Sequence, residues 1–249
     1  MRTEVISNGT PAKPLTIEEL RRKIQRNVNR YLTLEEQIGA LERERFRVCI
    51  FGSARIRPED PTYQLVYEMA KLLTAKHIDV VTGGGPGLME AANRGVMEVK
   101  DRQSQSIGLP IHLPRSQELA NKHLDIKSEH RRFSSRLDEF MWLSDAVIVA
   151  PGGIGTLLEL VYVWQLLQVG MIDARPVVLL GRDMWEGLLE WMREEMLGRQ
   201  LIGPNDFQWL HCADTPEEAF EWIRPLFEEY QKSLPPRAEE ESVAFEEAR

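Results

Sequence analysis

Residues 145–159 read DAVIVAPGGIGTLLE, and the fold follows from how that stretch changes character. Ala146 to Ala150 form an apolar run without polar alternation, the pattern of a strand buried on both faces of a parallel sheet. Glycines then break the run at 152, 153 and 155, and from Leu157 the composition is helical. The same passage from strand through glycine to helix occurs upstream, in RVCIFGSAR at 47–55 and DVVTGGGPGLMEAAN at 79–93. Further β-rich runs stand at 106–111 (SIGLPI) and 176–181 (PVVLLG), with a weaker one at 207–211. This alternation predicts a doubly wound parallel α/β sheet with strands over 47–53, 79–85, 106–111, 145–153, 176–181 and 207–211.

Simpler sequence flanks the sheet. Ile17, Leu20, Ile24 and Val28 recur at helical spacing, and Thr16 with Glu19 makes a capping box, so a helix is expected over 16–43. Thr215, Pro216 and Glu218 open a last helix over 216–232. Residues 1–15 and the acidic PPRAEEESVAFEEAR at 235–249 read as flexible ends. That leaves 16–234 as a single domain with an added N-terminal helix.

Charge and composition narrow the function. With 31 Lys and Arg against 39 Asp and Glu, the net charge is −8, the opposite of the basic surface a duplex binder needs, so nucleic acid is not expected as a partner. Two cysteines, Cys49 and Cys212, are too few for a disulfide framework or a four-cysteine zinc site. The five histidines show no ligand spacing, so no metal is expected. No apolar stretch reaches about 18 residues and the N-terminus lacks an apolar signal core, which predicts a cytoplasmic protein without a membrane partner.

In a doubly wound sheet ligands bind beyond the carboxyl ends of the strands, where the three glycine loops fall. Gly152, Gly153 and Gly155 let the backbone approach an anion closely, and Thr156 adds a hydroxyl beside the amides of the helix start, including that of Ile154. Residues 152–156 therefore read as a monophosphate cradle, with a tight turn that needs glycine for geometry alone as the alternative. The dinucleotide pattern GxGxxG fails because Leu88 and Leu158 occupy the third glycine positions. There is no GxxxxGK[ST], and none of the eight lysines lies in a glycine loop, which disfavours triphosphate hydrolysis and pyridoxal phosphate. No cofactor is expected.

Glu159, three residues after Thr156, is expected in the first turn of the helix, aimed back at the loop. It is either an acid that stabilises the helix dipole or a carboxylate that serves a ligand, and its apolar neighbours Leu157, Leu158, Leu160 and Val161 favour the second. On the preceding helix stand Arg131, Arg132 and Arg136, with Arg132 and Arg136 on one face. A solvated patch paired with Glu129, Asp138 or Glu139 is the alternative for these arginines.

Taken together, GSAR at 52–55, TGGGPGLMEAANRG at 82–95 and an arginine helix leading into SDAVIVAPGGIGTLLEL at 144–160 resemble the LOG family, once labelled lysine decarboxylases. Its signature PGGxGTxxE is matched at every fixed position by 151–159, and the similarity covers about 46–225. The resemblance implies a Rossmann-like fold, a homodimer or larger homo-oligomer, and hydrolysis of the N-glycosidic bond of a nucleoside 5′-monophosphate. The substrate would be AMP-like or a cytokinin riboside monophosphate, and the products free base and ribose 5-phosphate.

By position, the resemblance makes Arg136 and Glu159 catalytic and Gly152 to Thr156 the phosphate site. It places Gly52, Ser53, Gly84, Gly85 and Met89 around the nucleotide, with Glu90 and Asn93 toward the base, an acid at a helix start being the alternative for Glu90. One departure stands out, Leu137 after Arg136 where the family usually has lysine. The non-enzymatic alternative is a nucleotide or molybdenum-cofactor carrier, which shares the glycine loops and has no need of the Arg136 and Glu159 pair. Val161 to Trp164 with Leu166 and Leu167 carry more apolar surface than one buried helix face requires, in keeping with an oligomer or with a central helix buried inside one subunit.

Overall fold

The structure, a computed structural model, describes residues 16–42, 45–112 and 119–234. The expected flexible ends at 1–15 and 235–249 lie outside the described residues, as does residue 43 at the end of the expected first helix. Contacts divide the chain after residue 43 into two compact units.

The first unit is helix α1, Ile17–Glu42. Its start is the reciprocal cap that the sequence predicts: the Thr16 amide donates to Glu19 Oε2 at 2.7 Å and the Glu19 amide to Thr16 Oγ1 at 3.2 Å. Two otherwise unpaired donors are thereby satisfied.

The second unit is a seven-stranded sheet with helices on both faces, the doubly wound Rossmann-like arrangement. Its strands are β1 (Arg47–Phe51), β2 (Asp79–Thr82), β3 (Ser106–Gly108), β4 (Ile126–Lys127), β5 (Ala146–Val149), β6 (Val177–Leu180) and β7 (Leu210–Ala213). They lie in the order β4-β3-β2-β1-β5-β6-β7, and every neighbouring pair is parallel. From β1 the chain steps outward through β2, β3 and β4, then returns to lay β5 on the other side of β1 and steps outward again. The order of strands therefore reverses between β1 and β5.

Alternate residues of the strands feed opposite cores, as the two-residue period of a strand requires. Val48, Ile50, Val80, Ile148 and Val178 pack with α2 (Pro61–Ala75), α3 (Leu88–Met97) and α7 (Pro216–Ser233). Cys49, Phe51, Val81, Val147, Val149 and Leu179 pack with α4 (Phe133–Leu143), α5 (Ile154–Gln168) and α6 (Arg182–Trp191).

Several boundaries differ from expectation, among them that of the strand expected over 106–111, which ends at Gly108. The strands expected to reach 53, 85 and 153 end at 51, 82 and 149, because their glycines belong to the loops. The last strand lies at 210–213 rather than 207–211, since Pro204–Phe207 forms a short 3-10 turn that places Phe207 against Trp164, ring centroids 5.4 Å apart. Strand β4 was not expected; its two residues are exposed and carry no apolar run.

Helix α3 begins after Gly87, whose φ is +69° and whose added Cβ would lie 2.6 Å from the Ala54 carbonyl carbon. Gly187 sits within α6 with open space around it. Gly87→Ala is expected to lower stability by about 1–3 kcal/mol, from left-handed strain alone before the clash is added. Gly187→Ala is expected to raise it by about 0.5–1 kcal/mol. Urea unfolding midpoints moving in opposite directions check the pair.

Candidate active site

The reversal between β1 and β5 opens a crevice at the carboxyl end of the sheet, bounded by three loops that are bound to one another through their backbones. Phe51 stands opposite Val149 in the parallel register, so the loops after β1 and β5 leave the sheet side by side. The Ser53 amide donates to the Pro151 carbonyl at 3.1 Å, and the Leu88 amide donates to the Ser53 carbonyl at 2.9 Å. A cleft of about 440 Å³ results, lined by Phe51, Gly52, Ser53, Arg55, Gly83, Met89, Arg136, Gly153 to Thr156 and Glu159, among others.

Helix α5 starts at Ile154 with Gly153 as its cap, and no side chain closes its end. Its first backbone bond runs from the Leu157 amide to the Gly153 carbonyl at 2.9 Å, so the amides of residues 154–156 precede the intrahelical ladder. A Cβ added at Gly153 or Gly155 would meet nothing within 4 Å. These two glycines face open space in the cleft, beside amides that carry the positive end of the helix dipole. Gly152 differs: a Cβ there would run into the side chain of Thr156, which is buried against it. The loop therefore offers donors without side chains in the way.

Arg136 comes from α4 and is only 7% exposed. Its Nε donates to the Leu109 carbonyl at 2.7 Å, and its guanidinium carbon lies 5.1 Å from the centre of the Phe140 ring, a cation-π arrangement. Its Nη1 is 3.8 Å from Glu159 Oε1. Gly83 makes room for this group, because a Cβ there would strike Arg136 Nη2 and the Met89 sulfur. Glu159 is the sixth residue of α5, in the second turn rather than the first, because the helix begins at Ile154. That position is too deep for the alternative role, an acid that stabilises the dipole from the first turn. Burial, and after it the negative charge of Glu159, pushes the thiol of Cys49 well above its ordinary pKa. Arg131 and Arg132 are exposed, as a solvated patch would be.

The second loop is shaped from beneath by a polar network. Asn93, 0% exposed, accepts from Thr82 Oγ1 at 2.8 Å and donates to Ser106 Oγ at 2.9 Å. Asn121 donates to both the Gly85 carbonyl and Asn93 Oδ1 at 2.9 Å, and the Gly84 amide donates to Thr82 Oγ1 at 2.9 Å. Asn93 therefore holds the loop and does not face the cleft. Gly84, Gly85 and Gly152 stand behind the lining, and Glu90 points away to His123 Nε2 at 4.0 Å. Leu137 is buried and also absent from the lining.

Sequence reading thus assembled Gly52, Ser53, Met89, Arg136, Gly153 to Thr156 and Glu159 around one cleft, and missed others. Gly83 was visible as the first of three glycines; Arg55 was quoted in GSAR without a role; Ile111 and Phe133 left no local signal. Among the described residues, no three His, Cys, Asp or Glu side chains gather as a metal site, and no helix is long and apolar enough to cross a membrane.

Comparison with known proteins follows the same lines. The family model described as "Possible lysine decarboxylase" matches residues 89–223. A rice protein (Oryza sativa subsp. japonica) named "Probable cytokinin riboside 5′-monophosphate phosphoribohydrolase LOGL6" is 29% identical over 198 residues, 79% of this chain and 78% of its own length. "Probable cytokinin riboside 5′-monophosphate phosphoribohydrolase LOG6" of Arabidopsis thaliana is 30% identical over 174 residues, 70% of this chain and 85% of its own. The molybdenum cofactor binding protein from the phototrophic bacterium Rippkaea orientalis superimposes with a TM-score of 0.53 at 20% identity, covering 74% of this chain and 98% of that one. The protein TM1055 does so with a TM-score of 0.55 at 22% identity, covering 72% and 99%. These two share the fold. With a family model over more than half of its residues and a relative 30% identical across most of that relative's length, the chain belongs to the LOG family.

Proposed function

We propose that the protein hydrolyses the N-glycosidic bond of a nucleoside 5′-monophosphate, releasing free base and ribose 5-phosphate. The observation that carries this reading is the Arg136 and Glu159 pair, 3.8 Å apart on the wall of a cleft that also holds an uncapped helix start flanked by open glycines. The printed names of the plant relatives agree with it. AMP and cytokinin riboside monophosphates are the expected substrates.

In this reading the amides of 154–156, with Thr156, hold the 5′-phosphate. The glycosidic bond breaks with its electron pair leaving on the base, and positive charge develops at C1′. The Glu159 carboxylate stabilises that charge and takes a proton from the water whose oxygen forms the new bond to C1′. The departing base takes up one proton to leave as the neutral free base, so that the water is consumed as hydroxyl on C1′ and hydrogen on the base. Arg136, fixed by the Leu109 carbonyl and the Phe140 ring, positions the carboxylate and offers its guanidinium to the ribose-phosphate end. Binding energy at the phosphate, remote from C1′, then supports the chemical step.

The protein is also proposed to act as a homo-oligomer. Ile154 (84% exposed), Leu158 and Val161 form an outward apolar stripe on α5, next to exposed Phe133 at the cleft mouth. A second copy laid on that stripe buries it and borders the cleft.

Three outcomes are expected. Against AMP, CMP, GMP, IMP, UMP and isopentenyladenosine monophosphate, chromatography shows base and ribose 5-phosphate from at least one, and Glu159→Gln lowers turnover by about 10²–10⁴-fold with nucleotide still bound. Binding without cleavage of any of them would make the protein a carrier instead. Gly155→Ala folds as stably as wild type or slightly better, yet weakens nucleotide affinity by about tenfold or more, since its methyl occupies the open cradle. Light scattering finds at least twice the chain mass in wild type, and Leu158→Glu brings it toward the monomer; a monomeric wild type counts against assembly.

A further inference from the structure

Among the described residues, the formal charges that line the cleft come from three side chains, Arg55, Arg136 and Glu159. Arg136 and Glu159 face each other at 3.8 Å and cancel in sum. The cradle adds backbone amides, worth about half an elementary charge at a helix start, and a neutral threonine hydroxyl. A nucleoside monophosphate carries close to two negative charges at neutral pH. Without Arg55, the described lining would meet that dianion with no net formal charge.

Arg55 is placed to supply it. Its amide donates to Ser53 Oγ at 3.1 Å, and the Ser53 amide donates to the Pro151 carbonyl at 3.1 Å, so its backbone is tied to the start of the cradle loop. Its side chain is exposed at the cleft and forms no ion pair or side-chain hydrogen bond among the described residues. Arg94, Arg199 and Arg224, exposed like Arg55, each pair with a neighbouring carboxylate. The guanidinium of Arg55 is thus a full positive charge at the cleft, where the other described charges, Arg136 and Glu159, balance.

We infer that Arg55 is the specificity-determining cation of the cleft: it binds the 5′-phosphate from the side opposite the helix amides and sets the preference for phosphorylated over unphosphorylated nucleosides. This rests on the nucleotide reading of the site, and planar two-point contact with phosphate oxygens is the geometry a guanidinium favours.

Calorimetric binding of AMP, adenosine and ribose 5-phosphate to wild type, Arg55→Ala and Arg55→Lys tests it, at low and raised ionic strength. Arg55→Ala is expected to weaken AMP and ribose 5-phosphate by about tenfold or more and leave adenosine unchanged. Arg55→Lys recovers part of the loss, and the salt dependence of AMP binding flattens in Arg55→Ala. Unchanged affinity for both phosphates overturns the inference, as does an equal loss for AMP and adenosine. Because binding needs no turnover, the two readings separate. A protein that binds AMP through Arg55 and never cleaves a nucleotide loses the hydrolase reading and keeps this one; cleavage with Arg55-independent binding does the reverse.

Discussion

The parallel pairing of β1 with β5, in register from Val48 opposite Ala146 to Phe51 opposite Val149, is the constraint on which the rest of the molecule depends. The chain winds outward from this pair in both directions, so the connections on its two sides cover opposite faces and leave a gap above the pair. Both strands are fully buried, and their side chains alternate between two apolar cores. Burial of that kind, at roughly 25 cal/mol for each Å² of apolar surface, holds the register without any polar contact from the site. The cleft inherits its position from the hydrophobic interior.

Within the cleft, absence of a side chain does three separate jobs. At Gly83 it leaves volume for a buried guanidinium, at Gly87 it permits a backbone turn that an L-residue resists, and at Gly153 and Gly155 it keeps an amide surface bare. The first two serve packing and the third leaves helix-start donors uncovered, a distinction that appears only when the space around each missing Cβ is known. Phe51 and Phe140, edge to face with centroids 4.9 Å apart, complete the arrangement from below and support the ring face on which Arg136 rests.

Much of this was legible in the sequence because parallel strands buried on both faces are written as unbroken apolar runs, which is why β1, β2, β5 and β6 were readable. The half-buried β7 and the exposed β4 lack that signature: Phe207 packs on Trp164 ahead of its strand, and Ile126 and Lys127 join the sheet through backbone alone. In the site, the cradle and Glu159 were readable because their chemistry lies in adjacent residues. Contacts closed by the fold were not. The bond from Arg136 to the Leu109 carbonyl joins residues 27 apart, and Asn93 is claimed by Thr82, Ser106 and Asn121, so its amide is spent before it reaches the cleft. Gly153 starts α5 without a side-chain cap, so the usual capping signals missed where the helix begins and set Glu159 one turn too early.

The backbone of Ser53 donates to one neighbouring loop and accepts from the other, so the loops after β1, β2 and β5 are joined through a single residue. A lengthened or shortened loop at any of the three would pull the other two out of place, which makes the floor of the cleft a poor site for insertions. Divergence in what the cleft accepts is therefore channelled to its rim. Phe133 and Ile154, both exposed at the cleft, have room to change size and shape while the bonded loops beneath them stay as they are.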